Sequence, residues 1–138
     1  LIFSCPENSY TSNYRQEVLN LVNAERAKYG LQPLVMGDAN LTAAAQKRAE
    51  EIATVNSHTR PDGTKCFTVL NEYGVKDAPT GENAAWGSVS PKEVVKAWMN
   101  SEGHRANILD PEARKMGVGY YYNSSSAWGH QWIQIFTK

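Results

Sequence analysis

The C-terminal run from Lys115 constrains the fold more than any other stretch. Lys115-Met-Gly-Val-Gly-Tyr-Tyr-Tyr122 reads as a strand, Asn123-Ser-Ser-Ser126 supplies turn chemistry, and Trp128 to Thr137 alternates well enough to return as its hairpin partner. Everything before it reads mainly as helix. Val18, Leu19, Leu21, Val22 and Ala24 recur at helical spacing between Tyr14 and Tyr29, with Ser12 and Asn13 as N-cap chemistry and Gly30 as the stop. Helices first and an antiparallel hairpin last argue for an α+β domain.

The remaining punctuation fills in the order. Residues 1–13 are expected to form an extended leader and residues 14–138 a single domain. Pro33 prevents Leu31-Gln-Pro-Leu34 from extending the first helix. A second helix is expected from about Asn40 to Val55. Its apolar stripe is Leu41, Ala44, Ala45, Ala49, Ile52 and Ala53, with Gln46, Lys47, Arg48, Glu50 and Glu51 mostly on the opposite face. Small alanines on that stripe allow close packing against a sheet or another helix. Arg60-Pro61-Asp62-Gly63 is a turn, residues 67–74 a short helix ended by Gly74, Asp77 to Gly81 a loop, and Glu82 to Trp86 a short buried segment. Ser90-Pro91-Lys92-Glu93 combines a cap, a first-turn proline and a capping-box glutamate, so a helix starts there.

Composition narrows the function classes. Lys plus Arg and Asp plus Glu number 14 each, so the basic surplus of a nucleic-acid binder is missing. No apolar run approaches the ~20 residues a transmembrane helix needs. The start at Leu1, without Met, fits a mature form trimmed of an export signal. Cys5 and Cys66 are the two cysteines; paired, they would close a loop of about 60 residues and stabilise by roughly 4 kcal/mol. A small exported domain would gain from tying its N-terminal arm, so the pairing is expected, with two unrelated thiols as the alternative.

Three polar spots offer chemistry: Ser57-His58-Thr59, Gly81-Glu82-Asn83 and Glu102-Gly103-His104. Gly103 is expected to end the preceding helix and leave Glu102 and His104 at its terminus. No GxSxG frame, phosphate loop or HExxH motif is present, and neither cysteine sits in a nucleophile signature. Two imidazoles with one or two carboxylates, His58, His104, Glu82 and Glu102, suit a divalent metal or acid–base work. Surface or capping roles are the plain alternative.

The ordered set Leu19-Asn-Leu-Val-Asn-Ala-Glu-Arg26, Leu31-Gln-Pro-Leu34, Leu41-Thr-Ala-Ala-Ala45, Ser57-His58, Gly81-Glu-Asn-Ala-Ala85 and Asn100-Ser-Glu-Gly-His-Arg-Ala-Asn-Ile-Leu109 closely resembles the CAP superfamily, also called the SCP domain, in its bacterial branch. The resemblance spans about Tyr14 to Phe136. It implies a three-layer α-β-α sandwich with a small antiparallel sheet between helices. It also implies a central cavity lined by His58, Glu82 and His104, which in some members holds a divalent cation such as zinc; His58 and His104 would be the metal ligands. The second family glutamate has no match, since Ser101 stands at its position; Glu102 would restore it from one place along or is simply a solvated residue. Asn83 and Arg105 read as structural, Trp86, Trp98 and Trp132 as core, and His130 as a packing or surface residue.

The resemblance implies a secreted, extracellular or cell-surface binding module for a small ligand, a lipid or sterol among the options, or for a protein partner. The competing reading is a metal-dependent, peptidase-like hydrolase using His58, Glu82 and His104, and no catalytic residue is assigned. A third is a structural interaction protein in which these groups only satisfy one another.

Overall fold

The computed structural model describes residues 9–138; Cys5 and its expected pairing lie outside them. Helix α1 (Ser9–Lys28) begins five residues before the expected start at Tyr14. Ser9-Tyr-Thr-Ser-Asn13 contains no Gly or Pro to stop a helix, so the helix runs back through the expected caps and into the expected leader. It ends as its sequence predicts. Leu31 N–H bonds to Arg26 C=O and Gly30 N–H to Ala27 C=O, the paired closure that a left-handed Gly30 at φ 69° permits.

Beyond Pro33 the chain runs into β1 (Val35–Met36), then α2 (Ala39–Glu51), capped by Asp38, whose side chain accepts from Leu41 N–H. The second helix is shorter than expected. Past Glu51 the backbone tightens, Ala53 N–H and Thr54 N–H reaching back only three residues to Glu50 and Glu51, and the Thr54 hydroxyl also donates to the Glu51 carbonyl. The short helix α3 (Thr68–Glu72) stands where the sequence places one.

The expected hairpin is present as β3 (Lys115–Tyr122) and β4 (His130–Thr137), in register from Lys115 opposite Thr137 to Tyr122 opposite His130. Two further strands complete the sheet in the order β1-β3-β4-β2. Strand β2 (Pro79–Trp86) pairs antiparallel with β4 and begins inside the stretch expected to be loop. Pro79 is tolerated because it opens an edge strand. β1 pairs parallel with β3, so the sheet is mixed and not purely antiparallel: the extended Leu31–Leu34 segment delivers the chain to the sheet edge running the same way as β3.

Alternation along the strands divides the core between two faces. On one, Met116, Val118, Trp132 and Phe136 pack with Val18 and Val22 of α1 and with Val94 and Trp98 of α4 (Pro91–Met99). On the other, Ile133, Ile135 and Ala84 pack with the Leu41, Ala44, Ala45 and Ala49 stripe of α2 and with α3. Helices therefore cover both faces of the sheet, the three-layer arrangement. α2 lies very close to β3 because Gly117 and Gly119 leave room for its backbone; a Cβ at Gly119 would collide with the Ala45 carbonyl.

Helix α4 starts at the expected cap: Ser90 Oγ accepts from Glu93 N–H, and the Glu93 carboxylate accepts from Val89 N–H, one residue earlier than a strict capping box. The helix breaks at Asn100-Ser101, not at Gly103, and α5 (Glu102–Ile108) follows. Gly103 thus lies in the first turn of a helix. Ser101, in extended conformation, makes the break, and Gly103 meets no neighbour that would demand a side chain. Trp98 and Trp132 are buried and Trp86 half-buried, each with its indole N–H on a carbonyl, of Ala84, Ser88 and Ile52 respectively.

Candidate functional site

Two neighbouring residues of β2 organise the site from opposite faces of the sheet. Glu82 points towards α2 and Asn83 towards α5, as period-two alternation requires.

The Glu82 side chain is 1% exposed and is gripped by Arg48 of α2 through two bonds, Nε to Oε2 at 2.8 Å and Nη2 to Oε1 at 3.0 Å. Arg48 is itself buried. It donates further to Glu51 at 2.8 Å and to the Ser57 carbonyl at 2.9 Å. Glu51 in turn holds Arg60, which also reaches Glu72. Burial opposes ionisation of Glu51, but the hydrogen bonds from Arg60 and Arg48 outweigh it and hold its pKa below the ordinary value. Burial likewise opposes the charge on Arg48, and its bonds to Glu82 reverse the shift. A buried charge survives here because every charge has a partner.

His58 reaches Glu82 through the segment after α2. The turn at Arg60–Thr64 closes by Arg60 N–H to Thr64 C=O, with Asp62 accepting from Thr64, and Thr59 bridges Lys65. Cys66 N–H then bonds to His58 C=O, so the two residues lie side by side. His58 Nδ1 sits 2.9 Å from Glu82 Oε1. An ionised carboxylate only accepts, so Nδ1 carries the hydrogen and Nε2 holds the free lone pair. The hydrogen bond to Glu82 raises the His58 pKa, and with its side chain 58% exposed the ring meets solvent.

Asn83 holds the backbone of the second histidine. Its Nδ2 donates to the His104 carbonyl and to Gln134 Oε1, each at 3.0 Å, and its Oδ1 accepts from Asn107 Nδ2 at 2.9 Å. Asn107 also donates to the Glu82 carbonyl, and it fits only because residue 81 is glycine: a Cβ there would lie 2.5 Å from its side chain. These bonds clamp α5 onto the sheet edge with His104 on it, half-buried. Burial lowers the His104 pKa, and the charge of His58 lowers it further, an interaction that links the two rings electrostatically.

Among the expected site residues, His58 and Glu82 are in direct contact, and His104 stands outside the group of donor atoms that these two form with Cys66. Glu102 is exposed at the first position of α5 and makes no hydrogen bond or ion pair among the described residues. Arg105, expected to tie loops, is also exposed without such a partner there. Asn83 has its expected structural role. His130 packs at the hairpin, with Nδ1 2.7 Å from the Tyr120 hydroxyl.

Two site residues, Arg48 and Cys66, escape sequence reasoning. The sequence pattern groups Arg48 with the solvated face of α2, yet it falls four residues after Ala44 and four before Ile52, on the buried stripe, and that spacing is the available signal. Cys66 has no disulfide partner among the described residues, and its buried thiol is pushed up to about 12 by burial and by the charge of Glu82. His58, Cys66 and Glu82 each place a donor atom within 4.8 Å of the others, a group that could hold a metal ion. Arg48 engages both Glu82 oxygens, so a cation there would share the carboxylate with the guanidinium and would take the proton of the Cys66 thiol.

The profile of the cysteine-rich secretory protein family matches residues 19–136. The chain is 42% identical over 127 residues to the protein YkwD of Bacillus subtilis, a match covering 91% of this chain and 49% of YkwD, so it spans about half that relative's length. It superposes on an extracellular protein containing a SCP domain from Bacillus anthracis with a TM-score of 0.81 and 25% identity, over 98% of this chain and 45% of that one. An outer surface protein of Borrelia burgdorferi shares the fold, with a TM-score of 0.76 and 22% identity over 89% of this chain and 90% of that one. No helix among the described residues is long and apolar enough to cross a membrane. With a profile match running from the middle of α1 to the end of β4, the chain belongs to the cysteine-rich secretory protein (CAP) family.

Proposed function

We propose that this domain is an extracellular binding module in which His58 and His104 take up a divalent cation such as zinc, with Glu82 orienting His58. One observation carries the reading: consecutive residues of β2 hold the two histidines, Glu82 the ring nitrogen of His58 and Asn83 the backbone carbonyl of His104. The donor chemistry fits. Glu82 leaves Nε2 of His58 as the ligating nitrogen, the arrangement of a carboxylate behind a metal-binding histidine. Burial favours the neutral form of His104, which retains a lone pair. Arg48 keeps Glu82 in the supporting position by engaging both its oxygens. A bound cation would supply Lewis-acid polarisation of a small polar ligand at this rim.

Binding is favoured over the hydrolase alternative by the same geometry. A carboxylate paired with a guanidinium is a poor general base, and the Cys66 thiol is held protonated. An extracellular setting is supported by the description of the Bacillus anthracis relative.

The test is calorimetric titration of the metal-free protein with zinc. Saturable binding near one equivalent is expected, abolished by His58→Ala and by His104→Ala and weakened roughly 10- to 100-fold by Glu82→Gln. Wild-type protein that takes up no zinc, or takes it up unchanged after both histidine substitutions, refutes the reading.

A further inference from the structure

Large apolar side chains are left in solvent at one end of the hairpin. Trp128 is 59% exposed and Tyr122 56%, and Val89 on the adjoining segment is 53% exposed. Trp128 Cε3 lies over Gly87, 3.8 Å from where a Cβ would stand. The Gly87 N–H bonds to the His130 carbonyl, and the His130 N–H to that of Trp128. Tyr122 packs against His130 with ring centroids 4.9 Å apart, and His130 is pinned from beneath by the Tyr120 hydroxyl. Trp128 and the Tyr122–His130 pair therefore stand at the same end of the hairpin, with the Tyr122 ring against Gly129, the residue after Trp128.

The loop between the strands is equally ordered. Asn123 N–H bonds to the Gly129 carbonyl, Ser126 N–H and Oγ–H to the Asn123 carbonyl, and Ser125 N–H to Asn123 Oδ1. Among the described residues, the Ser124 hydroxyl, the Asn123 amide NH2 and the Tyr122 hydroxyl have no protein partner, so donors and acceptors stand free beside the exposed rings.

The chemistry of the rim selects among ligands. Between Lys115 and Lys138 there is no Asp, Glu, Lys or Arg, and the tip reads Tyr-Tyr-Tyr-Asn-Ser-Ser-Ser-Ala-Trp-Gly-His from residue 120 to 130. An anionic membrane surface or a nucleic acid would call for basic residues. A neutral molecule with an apolar face and many hydroxyls calls for this set: rigid aromatic rings for the face, and Ser and Asn for the hydroxyls. The C–H face of a pyranose carries slight positive charge and packs on the negative face of an aromatic ring.

We propose that the hairpin tip is a glycan-binding platform, with Trp128 and Tyr122 stacking on a neutral oligosaccharide and Asn123 and Ser124 bonding its hydroxyls. The platform is separate from the imidazole site: Trp86, where β2 meets the tip, lies about 13 Å along the strand from Glu82.

Calorimetry with triacetylchitotriose, cellotriose and maltotriose tests the proposal on the whole chain. Saturable binding of at least one is expected, weakened about tenfold or more by Trp128→Ala and by Tyr122→Ala. Both positions are exposed, so unchanged melting temperatures will show that the fold is intact, and His58→Ala must leave sugar binding as it was. Failure to bind any of the three sugars, or binding indifferent to Trp128→Ala, overturns the proposal. So does Trp128-dependent attachment to phosphatidylcholine or phosphatidylglycerol vesicles in place of sugar binding, which would make the tip a membrane contact.

Discussion

Arg48→Met tests the electrostatic core of the site most directly. Methionine keeps much of the length and apolar stem of arginine, so the change removes charge and donors with little loss of packing. It leaves the Glu82 carboxylate, whose side chain is 1% exposed, with only the His58 ring and the neutral thiol beside it. Breaking a buried ion pair from one side costs ~3–5 kcal/mol, because the remaining charge stays desolvated. An unfolding entropy of ~2.1 cal/mol/K per residue gives ~0.29 kcal/mol/K for 138 residues, so the melting temperature should fall by about 10–17 °C. Adding Glu82→Gln removes the stranded charge, and the double variant should recover stability relative to Arg48→Met, with a coupling energy of ~1–3 kcal/mol between the two sites. Thermal and urea unfolding of the four proteins of this cycle is the assay. An Arg48→Met variant within ~1 kcal/mol of wild type, or two effects that simply add, would refute the claim that Glu82 depends on Arg48 for its burial.

Other perturbations probe separate parts of the argument. Gly119→Ala pushes a methyl group into the Ala45 carbonyl and should cost ~1–3 kcal/mol by overpacking, measured by urea unfolding. In metal-free protein the two imidazoles should give opposite pH slopes of stability. His58, raised above the ordinary 6.5, stabilises fully below that pH and loses its contribution as pH rises through its folded pKa. His104, lowered below 6.5, contributes above it and loses that contribution as pH falls through its folded pKa. His104→Gln should therefore expose a stability that declines upward from about pH 6.5, and His58→Gln one that declines downward, both read from melting temperatures across pH 5–8. In protein kept reduced, iodoacetamide at pH 8 should leave Cys66 unmodified in the native state and alkylate it after unfolding, as mass spectrometry will show.

The hairpin, the α4 cap and the alanine face of α2 are legible in the sequence because local rules fix each of them: alternation, capping chemistry and side-chain size. Boundaries set by tertiary partners are not. β2 reads as a short buried segment because its length comes from pairing with β4, which lies far along the chain. Glycine's usual role assigns the break before α5 to Gly103, whereas Ser101 makes it. At the site, His58 and Glu82 are visible as residue types, but their contact requires knowing that Arg48 lies inward. Charged residues are read as solvated by default, and only the helical spacing of Arg48 relative to Ala44 and Ile52 argues otherwise.

The site depends on register as much as on residue type. Strand β2 pairs Pro79 with Thr137 and Gly81 with Phe136, so Thr80 is an extra residue in the ladder. The irregularity lets the chain enter from the α3 side at Pro79 and still present Glu82 to α2 and Asn83 to α5. A one-residue slip would exchange the two faces. Asn83 would then meet Arg48, leaving a buried guanidinium without its carboxylate, and Glu82 would face the His104 carbonyl, an acceptor against an acceptor. Both errors are costly in a desolvated setting, whereas the observed register satisfies each of these groups: carboxylate to guanidinium and imidazole on one face, amide to carbonyl and amides on the other. The polar residues that hold His58 and the backbone of His104 thus also select the strand register.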